Sequence, residues 1–181
     1  MKENQRIVLT KRLLKDALLN LLKKKDMEKI SVSELCAEAG INRATFYRHY
    51  EIPLDVLHEI QKDFIQDANF ISKEPKNLQD IACQFEQMCT YLQTHSDIVK
   101  ILMKCSTDKD FANLLQNYCR DMIFYKYADK LDEDSMHLII MGLAGGGYAL
   151  VRTWLLEDMQ KTPKEMAELI VRFISYGSKL F

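Results

Sequence analysis

Residues 31 to 50 read SVSELCAEAGINRATFYRHY, and they decide the fold. Ser31 followed three residues later by Glu34 is a capping box, which starts a helix. Leu35 and Ala39, at an i, i+4 step, form its buried stripe. Gly40 supplies the stop, because only glycine takes the left-handed turn at no cost. Asn42 then caps a further helix expected to run from Arg43 to about Tyr50. Two short helices joined by a glycine-containing turn make a helix-turn-helix. Ile41 lies in the turn and is expected to plug the angle. In the second helix Phe46 and Tyr50 share one face, while Arg43, Thr45, Tyr47 and His49 fall on others. Rings with polar tips suit a surface that leans on partner helices and also meets phosphates and base edges.

The charge distribution agrees. Residues 1–50 carry 11 Lys and Arg against 6 Asp and Glu, and residues 51–181 carry 14 against 20. A basic head on an acidic body points to an anionic partner for the head, nucleic acid first. The three lysines at 23–25 have a second reading as partners of a helix C-terminus. His49 has a second reading as a packing residue, and Tyr50 is better read as core.

The rest of the chain is helical by pattern. It has only 3 prolines and 6 glycines, and no segment alternates with period two. Leu13, Leu14, Ala17, Leu18, Leu21 and Leu22 place an amphipathic helix over roughly 10–25, with Thr10 as N-cap. Body helices are expected over 53–72, 77–95, 97–105, 108–128, 133–159 and 163–180. Ser96 is an expected N-cap, and Thr162, Pro163 and Glu165 form a helix start. The expectation is therefore an all-α chain of about nine helices.

Some chemistry is absent from the sequence pattern. Five cysteines, at 36, 83, 89, 105 and 119, show no CxxC or zinc spacing. They read as small buried hydrophobes in a reducing cytosol. His58, His95 and His137 are scattered, so no metal site and no cofactor is expected. The run from Met136 to Val151 contains four glycines and is short for a membrane span. The N-terminus lacks the apolar segment of a signal peptide. A cytoplasmic protein without a membrane partner is expected.

The motif resembles the helix-turn-helix of TetR/AcrR transcriptional regulators. The resemblance covers roughly residues 6–60, including TKRLLKDALLNLL before the motif and LDVLHEI after it. It implies a homodimer, with a three-helix DNA-binding head over 1–52 and a ligand-binding and dimerisation body over 53–181. It implies DNA-binding roles for Ser31, Ser33, Asn42, Arg43, Ala44, Thr45, Tyr47 and His49. Arg43 is the choice for guanine, whose major-groove edge accepts a bidentate guanidinium. Two positions depart from the pattern. Asp26 stands where the family prefers Gly, and Asp tolerates a left-handed backbone. Pro53 stands where a Lys commonly starts the fourth helix and meets phosphate.

The last two helices resemble the pair that forms a four-helix bundle across the dimer axis. Gly142, Gly146, Leu150, Trp154, Leu169, Ile170, Phe173 and Ile174 are the interface candidates. Each glycine inside this helix costs roughly 1 kcal/mol against alanine, which close helix packing, a ligand or a kink must offset. Met88, Tyr91, Leu92, Met103, Phe111, Leu115, Tyr118, Met122 and Tyr148 are candidates for a pocket holding a small, mainly apolar effector. The expected function is a ligand-responsive repressor that binds a double-stranded, palindromic operator as a dimer. Two alternatives stay open. One is a coactivator of the same fold acting through protein contacts, supported by the missing lysine at 53. The other is an enzyme for a small apolar substrate, against which stands the lack of any paired carboxylates, nucleophile with base, or metal cluster.

Overall fold

A computed structural model of the chain describes residues 2–67, 77–105 and 133–177. Among them are eight α-helices and no strand: α1 (Lys2–Leu22), α2 (Val32–Ala39), α3 (Arg43–Phe46), α4 (Pro53–Asp67), α5 (Leu78–Thr94), α6 (Ser96–Lys104), α7 (Glu133–Leu156) and α8 (Pro163–Gly177). The expected helix over 108–128 lies outside the described residues. The contacts divide the chain into two compact units, 1–67 and 68–181. The first unit includes α4, which packs on α1.

In the N-terminal unit, α1 packs on α2 and α4, and α2 on α3. Leu14, Ala17, Leu18 and Leu21 of α1 are buried with Leu35, Cys36, Phe46, Tyr50, Val56, Leu57 and Ile60. Thr10 is not the cap expected of it. Lys, Glu, Gln, Arg and Leu before it are good helix formers, so α1 runs back to Lys2. Asp26 needs no left-handed backbone either. It is extended (φ −73°, ψ 154°), ahead of a 3-10 turn over Met27–Lys29, and its carboxylate pairs with Lys29 Nζ at 2.8 Å.

The N-caps read from the sequence form in the helix-turn-helix, but the capping box is only half made. Ser31 Oγ accepts from the Glu34 amide at 3.3 Å, and Asn42 Oδ1 accepts from the Ala44 amide at 2.8 Å. Gly40 is left-handed (φ 64°, ψ 28°). Its amide donates to the Ala37 carbonyl and that of Ile41 to Cys36, so two carbonyls at the end of α2 are satisfied. The Glu34 carboxylate is taken by Lys25 Nζ. α3 is shorter than expected, ending at Phe46. Residues 47–49 continue as a turn, with His49 N to Phe46 O at 2.9 Å, the tightening common at helix ends.

In the C-terminal unit, α5 packs on α8 most extensively, and α6 and α7 join them. Ile81, Phe85, Met88, Cys89 and Leu92 form the buried stripe of α5. Met166, Ala167, Ile170 and Ile174 form that of α8. Asn77 caps α5 through the Asp80 amide at 2.9 Å. Ser96 is not a cap. It is the first residue of α6, and His95 turns the chain with its amide 3.0 Å from the Tyr91 carbonyl. α7 stops at Leu156, short of 159, because Asp158 and Met159 adopt left-handed backbone (φ 57° and 48°). Trp154 Nε1 donates to the Lys161 carbonyl at 2.8 Å and clamps this turn. The expected helix start is complete at α8: Glu165 N donates to Thr162 Oγ1 at 3.3 Å, and Thr162 N donates to Glu165 Oε2 at 2.8 Å.

The apolar stretch of α7 reaches further than 136–151. His137–Leu156 is long and apolar enough by those measures to cross a membrane, but it packs against α5, α6 and α8 as a helix of the body. The cysteines divide. Cys36, Cys89 and Cys105 are buried as expected, Cys83 is exposed against expectation, and Cys119 lies outside the described residues. Burial pushes the Cys36 thiol above its ordinary value, with the Arg43 charge opposing.

Candidate nucleic-acid interface

The caps that build the motif also leave hydrogen-bond donors at its surface. Ser31 and Asn42 spend an acceptor on the backbone, so the Ser31 hydroxyl proton and both Asn42 amide protons remain to donate. Arg43, at the first position of α3, is exposed and donates from Nη2 to Ser33 Oγ across the turn. The bond joins the two helices at their outer edge, and Ser33 keeps its own proton. Ala44 is exposed and Thr45 half-buried. Tyr47 is 60% exposed, and its ring stands edge-on to Phe46 at 5.5 Å. His49 is half-buried, 6.5 Å from the Tyr50 ring. Phe46 and Tyr50 are buried on the opposite face with centroids 5.8 Å apart, so the division of faces read from the sequence holds.

Two features escaped the sequence. The first is at the start of α4. Asp55 Oδ2 accepts from the amides of Glu51 at 2.8 Å and Ile52 at 3.0 Å, and Pro53 is buried. The missing lysine at 53 is thus accompanied by a carboxylate on the amides that a phosphate would need. An acid just after a proline in EIPLD was the available signal. The second is a charged cluster. Glu59 of α4 receives Lys11 and Lys15 of α1, each at 2.8 Å, and the Tyr50 hydroxyl at 2.9 Å. Lys15 also pairs with Asp63. Burial works against the charge on Glu59, but the bonds from Lys11, Lys15 and Tyr50 outweigh it and hold the group down to about 2. The Tyr50 hydroxyl is pushed up, by burial first and then by Glu59. Lysines at 11 and 15 and acids at 59 and 63 are each one helical turn apart, yet spacing alone does not say that the two helices meet.

The body candidates scatter. Met88 and Leu92 are buried in the core, while Tyr91, Met103 and Tyr148 are half-buried. Phe111, Leu115, Tyr118 and Met122 lie outside the described residues. A groove of about 580 Å³ runs along α5, lined by Cys83, Glu86, Gln87, Thr90, Tyr91 and His95 among others. Among the described pocket candidates, only Tyr91 lines it. Among the described residues no His, Cys, Asp or Glu cluster is placed to hold a metal ion.

The dimer candidates separate into two sets. Trp154, Ile170 and Ile174 are buried within the single chain, so they serve its own core and have little surface to give a partner. Gly142, Leu169 and Phe173 are exposed, and Gly146 and Leu150 are half-buried. All of these but Gly142 line a groove of about 630 Å³ between α7 and α8. A Cβ on Gly146 would stand 2.5 Å from Phe173 Cζ, whereas one on Gly142 would meet nothing within 4 Å. Gly142→Ala is therefore expected to stabilise the isolated chain by about 1 kcal/mol, from helix propensity. Gly146→Ala is expected to push the Phe173 ring aside instead. Thermal melting of the two variants checks this, and equal shifts would contradict it.

The comparisons agree with the geometry. Residues 79–176 match the family model for a transcriptional regulator C-terminal region. Residues 14–51 match that for bacterial regulatory proteins of the tetR family. The chain belongs to the TetR family of transcriptional regulators. A TetR transcriptional regulator from Streptococcus agalactiae 2603V shares the fold with TM-score 0.75 and 18% identity, over 96% of this chain and 98% of that one. A tetR-family regulator from Streptomyces coelicolor gives 0.63 and 16%, over 94% and 81%. The dihydroxyacetone kinase operon activator DhaS gives 0.63 and 16%, over 96% and 98%. No curated protein matches the chain.

Proposed function

We propose that this TetR-family regulator is a ligand-responsive repressor that binds a near-palindromic operator as a homodimer. The observation that carries the reading is the outer face of the helix-turn-helix, where Arg43, braced on Ser33, stands near the exposed Tyr47. Arg43 would read a guanine, and Tyr47, Thr45 and His49, with Ser31, Ser33 and Asn42, would hold phosphates. Two such faces would enter successive major grooves about 34 Å apart. The body would dimerise through the α7–α8 surface of Gly142, Gly146, Leu150, Leu169 and Phe173. A small, mainly apolar effector bound in the body, with Tyr91, Met103 and Tyr148 as candidate walls, would change the spacing of the heads and release one half-site. We place the protein in the cytoplasm with its operator and assign it no catalysis.

Arg43→Ala is expected to weaken operator binding by about 1–3 kcal/mol and to relax base preference at one position per half-site. Gel-shift titration with the chain's own upstream DNA tests the reading. A shift by the parent that Arg43→Ala weakens supports it, and an unchanged preference would remove Arg43 from base reading. A second reading, a coactivator with reduced DNA binding, is favoured by one observation: the Asp55 carboxylate at the start of α4. Absence of any shift, with transcription still dependent on the protein in a reporter strain, would favour it. The reporter also decides the sign of regulation, since DhaS, of the same fold, is an operon activator.

A further inference from the structure

The carboxylate of Glu59 is the meeting point of three elements. Its Oε1 receives Lys15, and its Oε2 receives Lys11 and the hydroxyl of Tyr50, all between 2.8 and 2.9 Å. Lys11 Nζ also lies 5.4 Å from the centre of the Tyr50 ring, so the phenol is held from its face as well as its tip. Tyr50 ends the recognition segment. Its amide donates to the Phe46 carbonyl at 3.0 Å, and its ring packs on Phe46 and His49. Tyr47 and His49, the expected phosphate contacts, are carried on the same turn between Phe46 and Tyr50.

We infer that Glu59 is a positioning residue for DNA binding: through Tyr50 it fixes the turn that carries Tyr47 and His49, and through Lys11 and Lys15 it ties that turn to α1 and α4. The inference rests on the reading that this face binds an operator. It reverses the sign that charge alone would give. Glu59→Gln removes a negative charge from a basic head, frees Lys11 and leaves Lys15 paired with Asp63 alone. Phosphate attraction by itself then favours tighter binding to any DNA. Loss of positioning weakens binding to the operator, because misaimed side chains lose hydrogen bonds that depend on angle and distance.

The test uses the full chain, an operator fragment from its own upstream DNA, and unrelated DNA of equal length. Parent, Glu59→Gln, Tyr50→Phe and the double variant are titrated at a temperature below all of their melting points. Glu59→Gln is expected to weaken operator binding on the order of tenfold; unrelated DNA, which loses the same phosphate contacts but gains attraction from the altered charge, is expected to change less. Tyr50→Phe keeps the ring in the core and removes only the hydroxyl. It is expected to weaken operator binding in the same direction, and the double variant to lose no more than the weaker single variant, as one unit would. Variants that melt earlier but bind the operator as tightly as the parent would reduce Glu59 to a structural ion pair and overturn the inference. Tighter operator binding by Glu59→Gln would overturn it too. If the parent itself binds no upstream fragment, the operator reading fails first and the inference falls with it.

Discussion

Phe46→Ala is expected to destabilise the N-terminal unit by about 3–5 kcal/mol, the range for truncating a fully buried aromatic ring. Phe46 is 0% exposed and is the one buried side chain of α3. Its ring packs against those of Tyr47 and Tyr50, one on the surface and one in the core. A short helix has almost no stability of its own and depends on such packing. Domains are stable by only about 5–15 kcal/mol, so a unit of this size loses much of its margin. Denaturant unfolding of the full chain, followed by helical signal, is the measurement. An early transition is expected for the N-terminal unit, with the later transition of the body unchanged. An unaltered curve would mean that α3 is not anchored through Phe46.

If the body dimerises through the α7–α8 surface as proposed, Phe173→Glu is expected to give monomers that keep their helices. Leu169 and Phe173 are four residues apart on α8 and each is 37% exposed, unusual for large apolar side chains between the buried Met166, Ile170 and Ile174. A twofold interface uses the same patch on both subunits, so one substitution buries two carboxylates facing a largely apolar surface. An uncompensated buried charge costs about 3–5 kcal/mol, enough to raise a micromolar dissociation constant beyond working concentrations. Within the single chain Phe173 is partly exposed and meets Gly146, so the fold survives the change. Sedimentation at micromolar concentration, paired with circular dichroism, decides it. A dimer that persists would move the interface off this face.

The head was more legible than the body, for a physical reason. Caps and turn residues act locally, so Ser31, Gly40, Asn42 and Thr162 announce their helices in a few letters. Phe46 and Tyr50 show their shared face through spacing alone. Interactions between distant segments leave no such mark. Nothing in LTKRLLKD or LDVLHEIQKD says that Lys11 and Lys15 meet Glu59 and Asp63. Helical spacing also does not tell burial in one's own chain from burial against a partner. Ile170 and Ile174 face their own core, while Leu169 and Phe173, next to them, do not. Gly146 was legible as a close approach, but not the Phe173 ring that makes it. Thr10 and Ser96 look like caps and are not, because the chain before each can continue the helix or turn it by backbone bonds alone.

Selection of bound fragments from a random pool of duplex DNA tests the central claim most directly. If the outer face of the helix-turn-helix reads an operator as part of a twofold dimer, the parent should enrich a near-palindrome. Its half-sites should be centred about 10 base pairs, one helical turn, or a multiple of that, apart. Arg43→Ala should lose one base preference in each half while keeping the spacing. A pool that stays random with the parent, or an enriched motif that Arg43→Ala leaves untouched at every position, would contradict it.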